Sequence, residues 1–86
     1  MKFNIKIQFD DGLHARPASD LVKLCNGFAS KSFVTCKGKT KNMKSIIEIM
    51  SLGLSKGDVM EIEVVGEDEA EATRSIRGFF KENDDE

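Results

Sequence analysis

Phe3-Asn4-Ile5-Lys6-Ile7-Gln8-Phe9 decides the fold. Its apolar residues, Phe3, Ile5, Ile7 and Phe9, fall at every second position, with Asn4, Lys6 and Gln8 between them. A period of two places the two sets on opposite faces of a strand, so the strand is half buried. Met60-Glu61-Ile62-Glu63-Val64 repeats the pattern further along. Strands buried on both faces read as continuous apolar runs. These alternate, so the sheet they build is covered on one side only.

Outward from the first strand, Asp10-Asp11-Gly12 breaks the alternation, and Ala18, Leu21, Val22, Cys25 and Phe28 then recur at helical spacing. The only proline, Pro17, stands at the start of this helix, where a missing N–H costs nothing, and Gly27 is its stop. Residues 32–36 and 39–42 predict two strands joined at Lys37-Gly38 in a hairpin. Ser45-Ile46-Ile47-Glu48 matches the Ser-x-x-Glu capping box and opens a short helix over 46–52, ended by Gly53. After a turn at Lys56-Gly57-Asp58 comes the strand centred on Ile62. A last helix over 69–81 carries Ala72, Ile76, Phe79 and Phe80 on its apolar stripe. Its early acids, Glu69 and Glu71, and later cations, Arg74, Arg77 and Lys81, suit the helix dipole. Residues 82–86 predict a frayed acidic tail. The order β-α-β-β-α-β-α predicts one α+β domain over residues 1–86: a four-stranded, mainly antiparallel sheet with three helices on one face.

Composition bounds the function. With 86 residues, a formal net charge of -2 and 33% charged residues, the chain has the balance of a soluble folded domain. By surface scaling a folded chain of this mass buries a little over 60% of what its unfolded form exposes, roughly. No apolar run approaches the ~20 residues of a membrane span, and the alternating N-terminus lacks the apolar block of an export signal, so the expected location is the cytoplasm. The two cysteines, Cys25 and Cys36, form no disulfide framework and no metal hook. One histidine and no Cys-x-x-Cys imply neither a metal nor another cofactor. Charge is unevenly spread: residues 1–57 hold 10 basic and 4 acidic groups, residues 58–86 hold 3 and 11. An anionic ligand or acidic partner therefore belongs with the first two-thirds of the chain.

Gly12-Leu13-His14-Ala15-Arg16-Pro17-Ala18-Ser19 carries the chemistry. His14 immediately precedes a helix whose first-turn N–H groups have no carbonyl partners and whose dipole leaves about half a positive charge there. A phosphate on the His14 ring would lie over the backbone donors of Ala15 and Arg16, and the Arg16 guanidinium would clamp it. The same positive field disfavours a proton on the ring, which suits a nucleophile. An isolated histidine beside a turn is ordinarily just solvated. Yet no serine, cysteine or second histidine makes a recognisable triad with it and no glycine-rich nucleotide loop is present, so a carrier is better supported than an enzyme.

This segment resembles the active-site signature of HPr, the histidine-containing phosphocarrier family of the bacterial phosphoenolpyruvate-dependent sugar phosphotransferase system. The stretch from Asn42 to Asp58 is similar to that family's regulatory-serine segment, and the likeness runs over essentially the whole chain. The resemblance implies the HPr-like open-faced β-sandwich. It implies that His14 takes phosphate on Nδ1 from phosphorylated Enzyme I and passes it to the IIA domains of sugar permeases. Ser45 would be phosphorylated by HPr kinase/phosphorylase, the product serving as corepressor for CcpA. The presence of His14 argues against the Crh proteins, which lack the histidine. The nitrogen-related branch, with the same histidine chemistry in a regulatory role, stays open.

Ser45 also has a purely structural use, since an N-cap hydroxyl contributes about 1 kcal/mol by itself. Ile46, Ile47 and Met50 cannot all face the core from so short a helix. Two of them are expected in an exposed apolar patch beside His14, with Ser19 and Arg16 on its edge, and the resemblance implies that partners dock there through the weak contacts of a monomeric carrier. Lys37, Lys39, Lys41 and Lys44 raise a different class, a protein- or nucleic-acid-binding module. The chain has no Tyr or Trp and its Phe residues sit mostly at core-patterned positions, so the cluster reads as a solvated face and nucleic acid is not expected.

Overall fold

In the computed structural model, which describes residues 1–82, the elements follow the order the sequence predicts. They are β1 (Lys2–Lys6), α1 (Ala15–Asn26), β2 (Lys31–Cys36), β3 (Lys39–Asn42), α2 (Ile46–Ser51), β4 (Val59–Val65) and α3 (Glu69–Glu82). The sheet runs β1-β4-β2-β3 and every pairing in it is antiparallel. Apart from Glu82, which ends α3, the expected acidic tail lies outside the described residues.

Register explains the two faces. Phe3 pairs Ile62, which pairs Val34 on its other side, and this row packs under the helices. The neighbouring row, Lys2, Glu63, Phe33 and Asn42, faces away from them. Each helix presents its own stripe to the sheet: Ala18, Leu21 and Cys25 from α1, Ile49 from α2, Ala72, Ile76 and Phe80 from α3. Ile7, Leu21, Ile62 and Ile76 are closed off from solvent, which contributes about 2 to 3 kcal/mol apiece. Both cysteines are free and buried, and burial pushes the Cys25 thiol up, so it is a packing group.

The first strand is shorter than its alternation. Pairing stops at Lys6 because β4 begins opposite it at Val59, although the Ile7 N–H still donates to Asp58 O at 2.8 Å. Phe9 instead turns to α3 and stacks on Phe80, ring centroids 6.2 Å apart. The hairpin turn has positive φ at both Lys37 (54°) and Gly38 (78°), the backbone of a type I′ turn. The capping box is only half formed. Ser45 Oγ accepts the Glu48 N–H at 3.4 Å, but the Glu48 carboxylate accepts the Asn42 N–H at 2.9 Å and fastens α2 to β3.

A second carboxylate ties two connections together. Asp68 accepts the N–H groups of Ala29 and Ser30, each at 2.9 Å, and the Ser30 hydroxyl. The Ser30 hydroxyl and the Ala29 N–H hold its carboxyl below the ordinary 3.8, and the Ser55 N–H and Lys37 do the same for Asp58. A carboxyl depressed in the folded state adds stability above its unfolded value, and that stability is lost as pH falls through the folded value. Urea midpoints are therefore expected to be level between pH 7 and 5 and to fall below about 4. Asp68→Asn should be less stable at neutral pH with a shallower acid limb. An unchanged limb would show that the carboxylate is not what titrates.

Candidate functional site

The loop between β1 and α1 is set by backbone before any side chain acts. Gly12 has φ +74°, a region L residues rarely adopt, and a Cβ there would run into the carbonyl oxygen of Leu54. Leu13 is buried and its N–H donates to the same Leu54 oxygen at 3.2 Å. Lys56 reaches across to the Asp10 carboxylate at 2.8 Å. The segment between α2 and β4 thus clamps the turn that carries His14.

His14 is the N-cap residue of α1, with extended backbone (φ -88°, ψ -171°), and its carbonyl accepts the Ala18 N–H at 2.9 Å. Its ring makes no capping bond and is exposed. Ala15 and Arg16 are the first two helical residues and Pro17 the third, so the orphan donors of this end are the N–H groups of Ala15 and Arg16. No acid occupies the first turn. His14 and Arg16 line an open depression of about 480 Å³ with Phe9, Asp10, Asp11, Pro17 and Asp20. An imidazole and a guanidinium on one concavity, at a helix end with two orphan backbone donors, can accept and steady a phosphoryl group.

Ser19, Ser45, Ile46, Ile47 and Met50 are not among the residues lining that depression. Ser19 is half-buried on α1, and Ser45 is the half-buried N-cap of α2. Ile46, Ile47 and Met50 are 38%, 78% and 41% exposed, while Ile49 at 1% holds α2 in the core. One apolar residue therefore anchors this six-residue helix, and three are left to solvent. Of the lysine cluster, Lys37 pairs with Asp58 at 3.2 Å and Lys44 donates to Phe28 O at 2.8 Å. These two cations serve loops and are not freely solvated. Sequence reasoning missed Asp20 as a neighbour of the site, although its place four residues after Arg16, one helical turn on, was a readable signal. The Leu54 contact has no such signal.

The chain matches the family described as PTS HPr component, phosphorylation site, over residues 1–82. The histidine-containing phosphocarrier protein of a Mycoplasma is 33% identical and superposes with a TM-score of 0.92, covering 95% of this chain and 93% of its own. The phosphocarrier protein HPr of Bacillus anthracis is 34% identical at a TM-score of 0.88, covering 93% and 95%. An HPr dimer from Thermoanaerobacter tengcongensis is 39% identical at 0.79, covering 95% and 94%. With the four-stranded antiparallel sheet, the three helices on one face and a histidine-bearing helix start all in place, this chain belongs to the HPr phosphocarrier family of the phosphotransferase system.

Proposed function

We propose that the chain is a single domain over residues 1–86 that works in the cytoplasm as a monomeric phosphoryl carrier. His14 takes the group on Nδ1 from phospho-Enzyme I and gives it to the IIA domains of sugar permeases. The observation that supports this best is His14 at the N-cap of α1, its ring exposed and unused by the fold, with Arg16 in the same depression.

The phosphoryl group arrives as the bond to its donor breaks, and the ring lone pair forms the new N–P bond. The Ala15 and Arg16 N–H groups and the Arg16 guanidinium then face the transferred oxygens. Their charge-assisted bonds hold the group without enclosing it, which leaves it accessible to the next acceptor. The partners supply the catalysis, and the carrier uses no cofactor. Ile46, Ile47 and Met50, with Ser19 at the edge, form the surface on which those partners dock, small enough for rapid release. Ser45 is a regulatory site for HPr kinase/phosphorylase, and the serine-phosphorylated form binds CcpA. A phosphate there adds about two negative charges beside the docking residues.

Incubation with Enzyme I and phosphoenolpyruvate is expected to raise the intact mass by about 80 Da, the mass of one phosphoryl group, and brief acid treatment to remove the gain, as for a phosphoramidate bond. An acid-stable gain, or none at all with Enzyme I active on a control carrier, would move the function away from phosphoryl relay through a histidine.

A further inference from the structure

The depression at His14 holds more negative charge than a site for a phosphoryl group calls for. Asp10, Asp11 and Asp20 all line it, against the one guanidinium of Arg16. Asp10 is offset by Lys56 at 2.8 Å. Asp11 and Asp20 are exposed, and among the described residues neither forms an ion pair. The fold sets the backbone position of each relative to His14. Asp20 stands one turn beyond Arg16 on α1, and Asp11 lies on the turn that Gly12 and Leu13 hold against Leu54. Among the described residues neither side chain has a structural partner that would account for its charge at this place.

A phosphoryl group on His14 brings nearly two negative charges into that concavity. Repulsion between charges that share one small solvent-exposed depression changes an equilibrium severalfold, and salt screens it. The free form of His14 feels no such penalty. We propose that Asp11 and Asp20 set the phosphoryl-transfer potential of His14, raising the free energy of the phosphorylated form so that the group is handed on and not retained. In the exchange between two such carriers the N–P bond of the donor ring breaks and an N–P bond forms on the acceptor ring. The acceptor ring gives up its N–H proton as the donor ring regains one, so charge and protons balance. Arg16 holds the transferred group in place while the two carboxylates limit how tightly it is held.

This inference rests on the carrier reading, and a competition separates the two. Nitrogen-15-labelled wild type and unlabelled Asp11→Asn/Asp20→Asn protein are mixed in equal amounts with catalytic Enzyme I and limiting phosphoenolpyruvate. Intact masses then give the share of phosphoryl on each. The variant is expected to hold about fivefold more than wild type near 10 mM salt, and the preference should shrink toward parity near 1 M, where the screening length is only about 3 Å. Asp11→Glu/Asp20→Glu protein, which keeps both charges, should stay close to parity throughout. Equal sharing at low salt, a preference indifferent to salt, or the same preference in the glutamate variant overturns the proposal. Should Enzyme I charge neither protein, the carrier reading fails. The same comparison with phosphoramidate, a direct chemical donor, then still decides the charge argument by the fraction of each protein charged.

Discussion

His14→Ala is expected to fold normally and to accept no acid-labile phosphoryl group. The ring is exposed and caps nothing, and the part of His14 that α1 uses, its carbonyl bond to the Ala18 N–H, survives the change. A surface substitution of this kind shifts stability by about 0.5 kcal/mol or less. The effect on transfer is total, because no other side chain in the depression offers a nitrogen nucleophile: its other members are Phe, Pro, three Asp and Arg16, which stays protonated. Thermal unfolding beside intact mass checks both halves. A variant that keeps its melting temperature but still gains an acid-labile group would place the acceptor elsewhere.

The second large effect is on backbone. Gly12→Ala must tolerate φ +74° and bring its new methyl group into Leu54 O, with Ser55 Cα at 3.1 Å beyond. The left-handed backbone alone costs about 1 to 2 kcal/mol, and a clash against backbone, which cannot rotate away as a side chain would, adds about 1 to 3 more. Gly38→Ala is the internal control. Its φ is +78° but nothing lies within 4 Å of its added carbon, so only the first cost applies. Urea unfolding should show Gly12→Ala losing about 2 kcal/mol more than Gly38→Ala, and phosphoryl uptake should suffer with it, since His14 stands two residues on and a 1 Å misplacement costs about 10²-fold. Equal losses would mean that the Leu54 segment yields and does not hold the turn before His14.

The residues that could be read from sequence are those whose placement depends on their own segment. Phe3, Ile5, Met60, Ile62 and Val64 announce strands because the period belongs to the strand itself, and Pro17 and the helical stripe behind it announce α1 in the same way. His14 and Arg16 stood out because the chemistry of a helix start is local. What failed to show depends on which segments meet. Alternation says that Ile62 faces the core but not that β4 lies between β1 and β2, and so it cannot say that β1 stops at Lys6 when its partner does. The Glu48 carboxylate matched a capping box by spacing, yet the Asn42 N–H lay closer to hand once β3 packed against α2. Lys37 and Lys44 looked solvated because Asp58 and the Phe28 carbonyl are 21 and 16 residues away in the chain. The exposed apolar residues of α2 were half legible. A six-residue helix has room for only one well-buried apolar residue, Ile49, and its neighbours Ile46, Ile47 and Met50 are exposed as a consequence.

Protein labelled with nitrogen-15 in its single histidine ring is followed by NMR as Enzyme I and phosphoenolpyruvate are added, and then as an equimolar unphosphorylated IIA domain is added. The Nδ1 signal of His14 is expected to move to the position of a phosphorylated nitrogen and to return to its starting position as the IIA domain takes the group. A ring signal that never moves while the protein mass rises, or a phosphorylated ring that no IIA domain discharges, would rule out phosphoryl relay through His14.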